Sequence, residues 1–205
     1  MVLENRKAVA ALHIAGIVAV GAYSAYSSYK ERRAAQAASA LFTASEKVMA
    51  AAPGVHGKEL LAKAAGPLKE LEDAARANAG TMPAFEAFMR TGDAYLDAGD
   101  FAHAGQLYAE AEKSAPSRSF RALSLYSLGM AREGAKDHKG AIEAFRGALG
   151  LGEKISKAEL LMGMARGYAA SGDSAKAQEQ LSLVSAEYPG SDYSRAADRL
   201  KASLK

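Results

Sequence analysis

Apolar residues recur at three- and four-residue steps along most of the chain, and no stretch keeps the two-residue alternation of a strand for long. The pattern predicts an all-α fold with changing amphipathicity. Ala8–Tyr29, "AVAALHIAGIVAVGAYSAYSSY", is apolar on every side and carries no Asp, Glu, Lys or Arg. As a helix rising about 1.5 Å per residue it would span roughly 33 Å, close to the hydrocarbon thickness of a bilayer. From Lys30 to Ala52 the apolar positions narrow to one face, predicting a helix continuous with the span and stopped by "APG" at Ala52–Gly54. A second helical stretch covers Lys58–Ala79, with Pro67 dividing it or opening its main part, and "NAGTMP" at Asn78–Pro83 breaks it.

Beyond Phe85 the pattern repeats. Counting Phe85 as one, Phe88 falls at four, Gly92 at eight, Tyr95 at eleven, Ala104 at twenty, Tyr108 at twenty-four, Ala111 at twenty-seven and Pro116 at thirty-two, with Thr91 where leucine is expected at seven. A second unit from Ala122 keeps Leu125, Leu128, Gly129, Ala141, Phe145 and Ala148, with Arg132 in the aromatic position. A third from Ala158 keeps Leu161, Met164, Ala165, Tyr168, Ala177, Leu181 and Pro189. "AGD", "AKD" and "SGD" end at Asp100, Asp137 and Asp173, each reading as a helix stop followed by an N-cap. This register resembles the tetratricopeptide unit, a 34-residue helix pair in which small residues sit where the helices touch and an aromatic fills the hollow towards the next pair. The resemblance implies three units at 85–118, 122–155 and 158–191, and no unit buries its apolar face alone. The predicted architecture is therefore a membrane anchor over residues 1–30, a helical pair over 31–84, the repeat solenoid over 85–191 and a capping helix over 192–205.

The apolar span has three readings: an uncleaved anchor, a signal peptide cleaved after Ala22, or a buried helix of a soluble domain. Tyr23, Tyr26 and Tyr29 followed by "KERR" suit the interface of an anchor, the favoured reading. Ala11, Ala15 and Ala19 form a small-residue ridge on which another membrane helix can pack. Basic residues flank both ends, so the positive-inside rule is nearly tied.

Charge changes the picture by its location. Arg6, Lys7, Lys30, Arg32 and Arg33 against Glu4 and Glu31 account for the whole net charge of +3, and the remainder balances. No basic footprint for nucleic acid is left in the folded part. With no cysteine there are no disulfides, thiolate metal sites or thiol nucleophiles. His13, His56, His103 and His138 are scattered and form no metalloprotease pair. "GALGLGEK" at Gly147–Lys154 lacks the preceding strand and the Lys-Ser/Thr ending of a phosphate loop. Asp100 and His103 stand at the carboxylate-x-x-His spacing of a di-metal bundle, but the second such motif is missing. His103 is expected to sit without a special role on its helix. No catalytic, cofactor or metal site is expected.

The tetratricopeptide resemblance implies binding on the face lined by the first helix of each pair. Here that gives Met89, Asp93, Leu96 and Asp97, then Tyr126, Met130 and Glu133, then Met162 and Arg166. The Lys, Asn and Arg set of a carboxylate clamp is absent, and methionine suits a groove accepting varied apolar segments. Periodic methionine also suits a plain core, so groove and core remain alternatives.

The layout as a whole, with a short basic start, one span, "AAQAASALFTASEKV" at Ala34–Val48 and degenerate repeats, resembles the YfgM-like ancillary subunits of the Sec translocon. That resemblance implies a non-enzymatic, single-pass protein of the bacterial inner membrane with a periplasmic repeat domain that links the translocon to chaperones or client polypeptides. "EYPGSDYSRAADRL" at Glu187–Leu200 also resembles repeat ends of periplasmic envelope-assembly proteins, implying the alternative of a soluble adaptor in envelope or outer-membrane assembly.

Overall fold

The computed structural model describes residues 2–152 and 156–204, with side chains from Val9 onward. The described residues are helical throughout, with no strand. α1 (Val2–Ala51) runs unbroken from the apolar span into the folded body. It is followed by α2 (Gly57–Ala77), α3 (Met82–Asp97), α4 (Phe101–Ser114), α5 (Arg118–Gly134), α6 (His138–Gly150), α7 (Lys157–Ala170), α8 (Ser174–Glu187) and α9 (Asp192–Ser203). Each helix packs on the next in sequence, and second-neighbour contacts join α1 to α3, α5 to α7 and α7 to α9. The odd-numbered helices thus make one layer and the even-numbered helices back it.

Local chemistry sets the boundaries. Asp100, Asp137 and Asp173 cap α4, α6 and α8, accepting from the backbone N–H three residues on at 3.1, 3.0 and 3.0 Å. Gly99 and Gly172, preceding two of these caps, have φ of 80° and 81°. "AKD" has no glycine, and Lys136 takes the left-handed conformation itself at φ 63°. Pro67 lies inside α2, and Ala64 leaves the helical region at φ −117°, ψ 19°. The proline supplies no N–H to the Lys63 carbonyl and its ring crowds that group, so the helix breaks there. The division expected at Pro67 therefore lies one turn upstream. α3 and α5 also begin before the repeat positions counted from Phe85 and Ala122, at Met82 and Arg118.

Small residues decide how closely the helices approach. A Cβ on Gly92 would lie 2.7 Å from the Tyr108 ring, and one on Gly129 would lie 2.5 Å from Phe145. Phe145 is gripped from its other side by α7, where a Cβ on Gly163 would meet the ring at 2.6 Å. One aromatic thus closes its own helix pair and docks the next. At the N-terminal end Ala37, Leu41 and Ala44, with half-buried Val48, form a helical stripe on α1 that joins the core of Phe85, Phe88, Leu107 and Tyr108. At the other end Ala197 and Leu200 of α9 cover Leu181 and Val184 of α8.

Over Val9–Tyr29 nothing covers α1. Leu12, Ile17, Val20 and Tyr23 are among its exposed large side chains, and its most apolar window has mean hydropathy 1.6 with no part buried. This helix is long and apolar enough to cross a membrane. Ala11, Ala15 and Ala19 are exposed along with every other described side chain before Ser27, so no neighbour distinguishes their ridge.

Candidate protein-binding groove

The residues expected to line a groove fall into distinct environments. Met89 on α3 is 9% exposed and belongs to the core around Phe88 and Tyr108. For that methionine the core alternative describes its place. Leu96 packs half-buried against the same core, while Asp93 and Asp97 are exposed. Asp93 accepts the Tyr108 hydroxyl at 2.6 Å. Burial and this acidic partner push the Tyr108 phenol well above its ordinary value.

On α5 and α7 the residues converge. Glu133 and Arg166, read from the sequence as an acidic edge and a separate cation, form a two-pronged ion pair with N–O distances of 2.5 and 2.8 Å. The hydrogen bond to Glu133 holds the Arg166 guanidinium above its ordinary value despite desolvation. The pair ties adjacent odd helices and leaves that arginine already engaged. Tyr126 and Met130 pack half-buried against the Phe145 cluster, and Met162 against the Leu181 cluster. Tyr193 of α9 donates to Glu159 of α7 at 3.0 Å. Burial, then the nearby Glu159, raises the Tyr126 phenol. The C-terminal helix therefore contributes to this face, which the sequence register did not indicate.

His103 departs most from expectation. Its Nε2 lies 3.1 and 3.2 Å from the two oxygens of Glu72 on α2, and its ring stacks on Tyr95 at 4.0 Å. Glu72 is 4% exposed and also accepts from Arg76 at 3.1 Å. Burial, reinforced by Glu72, pushes the Tyr95 phenol up to about 12. The cluster joins α2, α3 and α4, so His103 is a structural tie and not a bystander. Asp100 turns its carboxylate to the α4 N-terminus, while the His103 ring leaves for α2, so the pair has no shared target. Among the described residues no three His, Asp or Glu side chains are arranged to hold a metal ion.

No protein-family model matches the chain, and no curated protein is significantly similar to it. Its chemistry is therefore read from geometry. The odd-helix layer offers half-buried Tyr126, Met130 and Met162, internally paired charges and exposed carboxylates at Asp93 and Asp97. Such a surface binds by shape and apolar contact.

Proposed function

We propose that the chain is a membrane-anchored tetratricopeptide scaffold that holds partner proteins beside a bacterial inner-membrane complex. The observation carrying this reading is the same small-against-aromatic contact in successive helix pairs, Gly92 with Tyr108 and Gly129 with Phe145, joined to one uncovered apolar helix. Such packing supports an array whose free face is available for proteins, because each pair is stabilised by its neighbours and needs no ligand in the core. The anchor fixes that face near the bilayer. The Sec-associated layout supports a periplasmic orientation and a role between the translocon and its chaperones or clients.

The test uses the chain's lack of cysteine. A single cysteine at exposed Ser171 should react with a membrane-impermeant maleimide from the periplasmic side. A photoreactive residue at Tyr126 or Met162 should capture translocon components, chaperones or clients in native membranes. Labelling only after lysis would refute the orientation. Capture of nothing but copies of the chain would refute the scaffold role, and a soluble species beginning at Tyr23 would support the secreted-adaptor reading instead.

A further inference from the structure

The odd-helix face extends beyond α3 onto α1. Phe42 and Met49 stand two turns apart there, 65% and 55% exposed on the part of α1 that packs on the body. They border a groove of about 310 Å³ between α1 and α3, whose α3 wall includes Pro83, Glu86 and Arg90. Beside it, sharing Met49 and Arg90, a cleft of about 170 Å³ opens among α1, α2 and α3. Val48, Leu60, Leu68, Leu71 and Thr91 line its interior. Thr91 replaces the leucine expected at that register position, which accounts for part of the space.

Two groups in this recess have unmet chemistry. Thr91 is 2% exposed and its Oγ1 has no hydrogen-bond partner, a state that costs about 1–3 kcal/mol for a buried hydroxyl. Arg90, at the junction of groove and cleft, makes no ion pair among the described residues. We propose that the cleft is a docking pocket for a tyrosine side chain of a partner polypeptide, with an acidic residue beside that tyrosine engaged by Arg90. An apolar cavity of about 150 Å³ accepts a benzene ring, so this volume suits one aromatic side chain and not a whole cofactor. The phenol supplies the polar tip that the Thr91 hydroxyl lacks. The carboxylate neighbour answers the unpaired guanidinium, while Glu86, one turn away on α3, disfavours a second acid further along the groove. Phe42 and Met49 then flank the peptide's apolar residues.

This inference rests on the scaffold reading only in taking the occupant to be a protein. The test titrates the full chain, in nanodiscs and with ¹³C-methyl labels on Leu and Met, using p-cresol, toluene and the blocked dipeptides Ac-Glu-Tyr-amide and Ac-Lys-Tyr-amide. p-Cresol should shift the methyls of Met49, Leu60, Leu68 and Leu71 and bind about threefold or more tighter than toluene, the effect of one modest hydrogen bond. Thr91→Val, which keeps the shape and removes the hydroxyl, should erase that preference. Thr91→Leu should fill the cleft and abolish binding of both rings. Ac-Glu-Tyr-amide should bind more tightly than Ac-Lys-Tyr-amide, and Arg90→Glu should reverse the order. Absence of these methyl shifts, or a cresol preference surviving in Thr91→Val, would overturn the proposal. So would a self-associating chain that Thr91→Leu dissociates, since a second copy would then occupy the cleft, or shifts given by oleate but not by the Glu-Tyr probe. Cresol binding without partner capture at Tyr126 would fail the scaffold reading alone, and capture without cresol binding would fail this one alone.

Discussion

Gly129→Ala is expected to destabilise the fold although it improves helix propensity. The glycine lies inside α5, and an alanine Cβ there would stand 2.5, 2.6 and 2.8 Å from three Phe145 ring atoms. Ordinary carbon contacts lie at about 3.5–4.0 Å, so the ring must retreat by roughly 1 Å. Its retreat is blocked, because Phe145 is fully buried and α7 approaches at Gly163 with would-be Cβ distances of 2.6–2.9 Å. Overpacking of this kind costs about 1–3 kcal/mol. The gain in propensity from Gly to Ala is about 1 kcal/mol, leaving a net loss of up to ~2 kcal/mol. Gly105→Ala is the control, since its Cβ would meet Leu128 and Ala131 at ordinary distances of 3.8 and 3.9 Å. It should gain up to ~1 kcal/mol. Urea denaturation of the full chain in detergent micelles, followed by circular dichroism, compares the two. Gly129→Ala with Gly163→Ala closes both escape routes and should cost more than the sum of the singles by at least about 0.5 kcal/mol. In a Phe145→Leu background the Gly129→Ala penalty should shrink. A Gly129→Ala protein as stabilised as the Gly105→Ala control would refute the gripped-ring account.

Three further outcomes follow from the same geometry. Lys136→Gly should stabilise by about 1 kcal/mol, because the residue occupies φ 63°, and thermal unfolding by calorimetry measures it. His103→Ala should destabilise by roughly 1–2 kcal/mol in the same assay, since it removes a hydrogen-bond partner from the buried Glu72 carboxylate, while exposed His56→Ala should be near neutral. Stability should fall above pH 10, because the unfolded Tyr95 phenol ionises near its ordinary value of 10.0 while the folded one holds its proton to about 12. The unfolded state then binds fewer protons, so this contribution is present below pH 10 and lost on approaching pH 12. Tyr95→Phe should flatten that part of a melting-temperature profile.

Helix caps, helix count in the folded body and the uncovered span were legible because they depend on near neighbours. A capping aspartate bonds three residues on, and an all-apolar helix announces itself by composition alone. Gly92 and Gly129 were legible as packing residues because their positions repeat. The site was less legible. Periodicity put Met89 on the same face as Met130, yet α1 and α2 add a layer over the N-terminal end, and there Met89 is core.

The amino-acid sequence by itself determined the all-helical character, the punctuation at Asp100, Asp137 and Asp173, and an N-terminal helix apolar enough for a bilayer. Only the tertiary structure decided which side chains meet across long separations. It joined Glu133 to Arg166, brought His103 to a carboxylate 31 residues away, and opened the Thr91 cleft where three helices fail to fill the space. The physical reason is range: helix formation and capping are fixed within about one turn, whereas charge pairing and voids depend on how separately specified helices pack.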